Sequence, residues 1–295
     1  MFSHQPNVLK LYEARPVKGR AIAPVILDSP HSGTIYPEDF NTIAPLQILH
    51  KQEDSFVDQL YSMAPYSGAV LLCAEFPRSY IDPNRAEDDL DIRLIEGDWP
   101  APLNPTEKTR LGHGLVWHSY LDKMPMYNRL LRVGEIKSRI DNYWRPYHQT
   151  LEEEMEKIYT QYGGVWHINC HSMPASSSPF ISGAIGGKRA DFVLGTLDGR
   201  SCDVGFSDLI RNHLEKLGYT VRLNYPYKGA ELVRRYGNPH RDRHSIQIEI
   251  NRALYLDERN LKITKHFREL QTNLGSLCDI VCDYALNQSI AAAAE

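Results

Sequence analysis

The sequence lacks any long apolar run. No stretch approaches the roughly 18 uninterrupted apolar residues of a membrane-spanning helix, so no span is expected. It also lacks blocks of like charge. Lys and Arg number 33, Asp and Glu 37, and the formal net charge is -4. Nucleic acid and anionic membranes, which bind clustered cations, are not expected partners. The N-terminal MFSHQPNVLKLYEARP has no basic start followed by an apolar stretch, so no signal peptide is expected. The five cysteines, Cys73, Cys170, Cys202, Cys278 and Cys282, are odd in number and irregularly spaced. That argues against a disulfide framework and for a reducing cytoplasm. There is no GxSxG turn, and no cysteine has a nucleophile's setting, which disfavours serine or cysteine catalysis. Gly186-Gly187 and GTLDG are too isolated to make a phosphate loop.

What is present is an alternation of strand and helix signals. Short apolar runs at Pro24–Leu27, Ala69–Phe76, Val165–Cys170, Asp191–Gly195, Tyr219–Leu223 and Ser245–Asn251 read as strands. In the last, Ile246, Ile248 and Ile250 alternate with Gln247, Glu249 and Asn251, the period of a strand. Leu49, Phe56, Val57, Leu60, Tyr61 and Ala64 form one helical stripe. Ile136, Ile140, Tyr143, Trp144 and Tyr147 form another, continued by Leu151, Met155, Ile158 and Tyr162 and kinked at Pro146. Asp203 caps a helix that stops at Gly218. Cys278 and Cys282, four apart on a helical pattern, read as small core residues. This order predicts an α/β fold with a mostly parallel sheet and helices on both faces. No linker divides the chain, so residues 1–295 read as one domain. Glu87–Gly114, rich in Pro, Gly and charge, reads as a long functional loop.

In open α/β sheets ligands sit at the carboxyl ends of strands. The first strand delivers His31 in DSPHSG, the third His171 in HSMP, and the second Arg78, Asn84 and Arg85 in PRSYIDPNR. The last carries Glu249 among isoleucines. Two histidines and a carboxylate are the ligand set of a catalytic zinc with an open position. Asp54, on the helix stripe three and seven residues before Val57 and Tyr61, is the chosen carboxylate, with Glu53 its competitor. A surface aspartate and a loop histidine bonded to backbone are the bland alternatives. His167 reads as a satisfied core histidine. His113, His118, His240 and His244 lack ligand spacing.

The motifs PHSG with YP close behind, EDSFVDQLY, PRSYIDPNR, WRPYHQ, HINCHSMP, DFVLGT, YKGAELVRRYG and HSIQIEINR run in this order from about His31 to Arg252. The ordered set resembles the N-formylglutamate amidohydrolase family, itself similar to zinc carboxypeptidases and aspartoacylases. The resemblance implies a three-layer α/β/α sandwich around a mixed sheet and one bound Zn2+. It also implies a small N-acyl amino acid as substrate, N-formyl-L-glutamate being split to formate and L-glutamate as in histidine catabolism. It assigns His31, Asp54 and His171 to zinc, Arg78 to polarising the scissile carbonyl, Asn84 and Arg85 to a substrate carboxylate, and Glu249 to general-base work. Thr34 departs from the carboxypeptidase HxxE pattern, so the second ligand must come from further along. A dicarboxylate substrate calls for a second cation, for which Lys228 and Arg234 are candidates. Another N-acyl amino acid or small peptide, and a non-catalytic small-anion binding protein, remain alternatives.

Overall fold

Strict alternation on the last long strand organises the molecule, because it sends isoleucines to one side of a sheet and polar residues to the other. In the computed structural model, which describes residues 4–5, 7–120, 124–176 and 189–292, one sheet holds eight strands. They are β1 His4–Gln5, β2 Leu9–Tyr12, β3 Val25–Ser29, β4 Val70–Ala74, β5 Val165–Met173, β6 Phe192–Gly195, β7 Val221–Leu223 and β8 Arg243–Asn251. Their order is β1-β2-β4-β3-β5-β8-β6-β7. The neighbours β4, β3, β5 and β8 are mutually parallel. β2 runs against both β1 and β4, and β6 runs against β8 but parallel to β7, so the sheet is mixed but mostly parallel. The Gly186-Gly187 pair lies outside the described residues.

Both faces are covered. Ile26, Val70, Leu72 and Val165 pack under Ile136, Ile140, Trp144, Leu151 and Met155. Val25, Leu27, Trp166, Ile168 and the three isoleucines of β8 pack against helices Val204–Lys216 and Phe267–Ala292. Cys278 and Cys282 lie in that second core, and all five cysteines are buried and free. Asp203 caps its helix by accepting from the Phe206 amide at 2.6 Å, and Gly218 follows the helix with φ +90°. No helix among the described residues is long and apolar enough to cross a membrane.

Two expectations change. The stripe from Leu49 to Ala64 is not one helix but three short ones, Leu46–His50, Val57–Leu60 and Ala64–Ser67. Phe56, at φ 65°, breaks it in a left-handed conformation that no continuing helix accepts. Pro146 kinks its helix by a slip rather than a break. A π-turn at Ile140–Trp144 joins Val133–Arg139 to Arg145–Tyr162, and the Arg145 amide reaches Ile140 O. Proline donates no amide hydrogen, so the ladder widens one turn earlier and resumes. Strands β1 and β2 escaped notice because only Leu9 and Leu11 mark the core-facing side.

His148, on the buried side of this helix, donates from Nε2 to Pro83 O at 2.8 Å and accepts from Tyr236 Oη at Nδ1, also at 2.8 Å. Burial pushes its pKa down to about 3 despite the Pro83 carbonyl. The unfolded chain protonates this histidine near pH 6.5 and the folded chain does not, so stability falls as pH drops from about 6.5 towards 3. One such group contributes a slope of up to about 1.4 kcal/mol per pH unit. Urea unfolding of wild type and His148→Gln at pH 7.5, 6 and 5 should show the wild type losing its advantage at about that slope. A pH-independent difference would show that His148 titrates normally in the fold.

Candidate active site

Because β3, β4, β5 and β8 are parallel, the residues at their carboxyl ends meet on one edge. Past β3 the chain turns through His31-Ser32-Gly33 and lies hard against the end of β4. A Cβ on Gly33 would stand 2.3 Å from Phe76 O, so only glycine permits this approach. The Ile35 amide then donates to Glu75 O at 2.8 Å. The Asp54 amide donates to His31 O at 3.0 Å, and the Asp58 amide to Ser32 Oγ at 3.2 Å. These bonds lock the histidine loop to the segment carrying Asp54, which lies in the turn before Val57–Leu60 rather than on a helix.

His31, Asp54 and His171 converge, buried, with one candidate ligand atom each and all three within 4.8 Å of one another. His171 Nδ1 lies 2.9 Å and His31 Nδ1 3.3 Å from Asp54 Oδ2. The far nitrogen of each ring is held. His31 Nε2 donates to Asp82 Oδ1 at 2.7 Å. His171 Nε2 lies 2.7 Å from Asn169 Oδ1 but also 3.1 Å from Asn84 Nδ2, and these neighbours ask for opposite tautomers. The shorter contact decides. Asn169 Nδ2 donates to the buried Asp28 Oδ1 at 2.7 Å, which turns its carbonyl towards the ring. Both histidines then carry hydrogen on Nε2 and a lone pair on Nδ1. His31 Nδ1 makes no hydrogen bond. Three electron-rich atoms facing one another in a buried place suit a cation between them, and histidines fixed from behind are how proteins present imidazole to a metal. Glu53, the competitor, points elsewhere, accepting from Tyr36 Oη and His50 Nδ1.

The carboxylates are held ionised. Burial opposes the charge on Asp54, whose Oδ2 faces the two imidazoles. Its other oxygen accepts from Arg252 Nη2 at 3.0 Å and from Ser172 Oγ at 3.4 Å. Arg252 is itself fixed by Lys51 O and Glu53 O, at 2.8 and 2.7 Å. Burial likewise opposes the charge on Asp82, and His31, Arg78 and Arg85 overcome it. Arg78 reaches Asp82 Oδ2 at 2.9 Å through Nη2 and lies 5.5 Å over the Trp117 ring.

Glu249 stands in register with His171 on the adjoining strand and points to the same face. Burial raises its pKa, while His171 and Arg78 counteract. Gln247 Nε2 donates to Glu249 Oε1 at 2.8 Å, and the Ala230 amide fixes the orientation of that glutamine by donating to Gln247 Oε1. Oε2 accepts no hydrogen bond among the described residues.

A trio that could hold a metal ion beside a buried glutamate fits several hydrolases; kinship narrows the choice. The sequence profile of the N-formylglutamate amidohydrolase family matches residues 23–256. The chain belongs to this family. An N-formylglutamate deformylase from Pseudomonas putida is 32% identical over 210 residues, covering 70% of this chain and 71% of the relative. One from Pseudomonas aeruginosa is 30% identical over 244 residues, 81% of this chain and 84% of the relative. The crystal structure of N-formylglutamate amidohydrolase from Ralstonia eutropha matches with a TM-score of 0.89 at 42% identity, over 96% of this chain and all of that one.

In this member of the N-formylglutamate amidohydrolase family, the other candidate residues divide. Arg85 borders the site, its Nε donating to His113 O at 2.9 Å and Nη1 to Asn84 O at 2.7 Å. Asn84 is spoken for: Oδ1 accepts from the Leu232 amide, and Nδ2 faces His171. Lys228 and Arg234 are not held ready for an anion. Each is exposed and ion-paired, to Asp198 at 2.9 Å and to Glu231 at 2.6 Å respectively. His167 is the expected core histidine, between Asp28 and Ser245. The sequence reading gives no role to Asp28, Asp82, Asn169 or Arg252, although the last three lie inside motifs quoted for the family and Asp28 stands two residues before PHSG.

Arg252 offers a direct test. Removing one partner of a buried ion pair costs about 3–5 kcal/mol because the other charge is stranded. Arg252→Met should lose about that much stability, read by urea unfolding of chelator-treated protein. Adding Asp54→Asn should restore part of it. A single variant as stable as wild type would show that Asp54 does not depend on Arg252.

Proposed function

We propose that the protein is a zinc-dependent amidohydrolase that splits N-formyl-L-glutamate into formate and L-glutamate. The observation that carries this reading is the buried His31, Asp54 and His171 trio, with its orphaned His31 Nδ1, beside Glu249 in a member of the N-formylglutamate amidohydrolase family. The deformylases it resembles over most of their length give the substrate.

Zinc held by His31, Asp54 and His171 would supply the Lewis acid that acidifies water and polarises the formyl carbonyl. Glu249 takes the proton of the attacking water through its unbonded Oε2 and returns it to the leaving nitrogen of glutamate. Burial favours the protonated form of Glu249, so the carboxylate is a better base than an exposed one. Arg78, oriented by Asp82, directs its remaining N–H groups at the oxyanion that develops on the formyl oxygen. Arg85 meets the α-carboxylate with the fork geometry of a guanidinium. Asn84 acts one step back, holding the Leu232 amide and lying beside His171 rather than gripping substrate.

Formate release from N-formylglutamate decides the matter. It should be lost on chelation and return with added zinc. Glu249→Gln should keep zinc content and melting temperature and lose about 10²–10⁴-fold in kcat. A variant with more than about a tenth of wild-type kcat would remove Glu249 as the principal base. Undiminished turnover in thoroughly chelated protein would reject the metal. Failure to release formate while another N-acyl amino acid is cleaved would move the substrate and leave the chemistry standing.

A further inference from the structure

N-formylglutamate carries two carboxylates, and a site that accepts both needs two cationic points. Arg85 supplies one. The two basic residues singled out in YKGAELVRRYG already neutralise acids on the surface. The long loop Glu87–Gly114 holds another candidate. Its short helix Glu107–Arg110 is wedged against the site by a series of bonds. Asp89 accepts from the Thr106 amide at 2.7 Å, from Thr106 Oγ1 and from Thr109 Oγ1. The Leu115 amide donates to Asp89 O, and the Asp82 amide to Leu115 O, each at 2.8 Å. The loop is thus fastened to the same Asp82 that holds His31. Lys108 itself accepts at its carbonyl from the His113 amide at 2.8 Å, and His113 O accepts from Arg85 Nε.

Lys108 Nζ forms no ion pair and no hydrogen bond among the described residues. The residue is exposed to solvent, and burial first, then repulsion from Arg85 and Arg78, lowers the pKa of its ammonium, while Glu107 and then Glu249 pull the other way. Its backbone is one hydrogen bond from His113, whose own carbonyl holds Arg85, so this exposed side chain starts beside that arginine. The same three cations act on His113. Burial first, then Arg78, Arg85 and Lys108, push it down to about 4, so it is neutral at pH 7. The far side of the helix is different: Thr109 and Arg110 line a separate cavity of about 700 Å3 with Leu90, Trp99 and Leu103.

We infer that Lys108 is the specificity-determining cation for the distal carboxylate of the substrate, forming with Arg85 a two-point clamp for a dicarboxylate. This rests on the proposed N-formylglutamate reading for the identity of the dianion. Arg85 is tied through Asn84 to His171 and so meets the carboxylate nearer the scissile amide, while Lys108 meets the one at the end of the side chain.

The test compares N-formylglutamate with N-formylglutamine, which has the same shape and lacks the distal charge. A hydrogen bond to a charged group is worth about 10- to 100-fold. The ratio of kcat/KM values, glutamate over glutamine derivative, should fall by about that factor in Lys108→Met, through KM. It should hold in Arg110→Met, which removes an equal charge from the same helix, and largely return in Lys108→Arg. An unchanged ratio in Lys108→Met, or an equal fall in Arg110→Met, overturns the assignment. Binding of glutarate and of butyrate to the zinc-loaded protein, by calorimetry, separates this from the parent reading. If wild type does not cleave N-formylglutamate but binds glutarate more tightly than butyrate, and Lys108→Met abolishes that preference, the substrate is wrong and the subsite stands. If Lys108→Met leaves the glutarate preference intact, the subsite is wrong whatever the enzyme cleaves.

Discussion

Three buried carboxylates, Asp28, Asp54 and Asp82, impose the constraint around which this site is built. A carboxylate taken out of water must be paired and hydrogen-bonded or it protonates. Each has its own set of partners. Asp28 receives Tyr147 Oη at 2.6 Å, His167 Nε2 at 2.9 Å and Asn169 Nδ2 at 2.7 Å, and these bonds outweigh the burial that would raise its pKa. Asp54 has Arg252 and Ser172, and Asp82 has Arg78, His31 and the Asn84 amide at 2.9 Å. The three sets are joined. Asn169 links Asp28 to His171, His171 meets Asp54, Asp54 meets His31, and His31 donates to Asp82. The imidazoles that face Asp54 are thereby oriented by acids on either side.

The sheet makes this geometry cheap. Four adjacent parallel strands bring their carboxyl ends to one edge, and alternation puts Asp28, His167, Asn169, His171, Gln247 and Glu249 on one face of it. The other face keeps the isoleucines of β8 and the apolar side of two helices. A one-residue slip of β8 against β5 would carry Glu249 to the apolar side and strand three isoleucines among the acids. Register and function are therefore specified by the same pattern. Apolar burial on one side stabilises a strand pairing that the polar side alone would not select.

That coupling explains what could be read from the sequence. Alternation around Glu249 and the strand ends at His31 and His171 are local signals, and all three residues lie together in the site. Glu249 could be oriented from its neighbours alone. The fate of Asp54 could not. It was expected on a helix face, whereas it lies in a turn governed by the left-handed Phe56 and by a bond to His31 O, a partner remote in sequence. Arg252 and Asp82 were invisible for a related reason. An arginine after a strand and an aspartate in Asp-Pro-Asn look like surface and turn residues, and only the tertiary fold buries them against other charges. Lys228 and Arg234, the candidates for a second anion, are exposed and paired with acids, Lys228 with the distant Asp198 and Arg234 with Glu231 one helical turn back.

The cationic side of the site follows from the same economy of charge. Arg78, Arg85 and Lys108 repel one another, and Asp82 and Asp54 beside Arg78, Asp89 and Glu231 near Arg85, and Glu107 beside Lys108 act against that repulsion. His113 registers the excess by staying neutral. Such an arrangement is unfavourable in itself and is held by bonds elsewhere: Asp89 to the helix carrying Lys108, His113 O to Arg85, and Trp117 beneath Arg78. On the proposed reading, an anion bound between them would relieve that repulsion as well as make new contacts. A monoanion relieves it at one point and a dianion at two. On that reading the charges favour a dianion before any shape is considered.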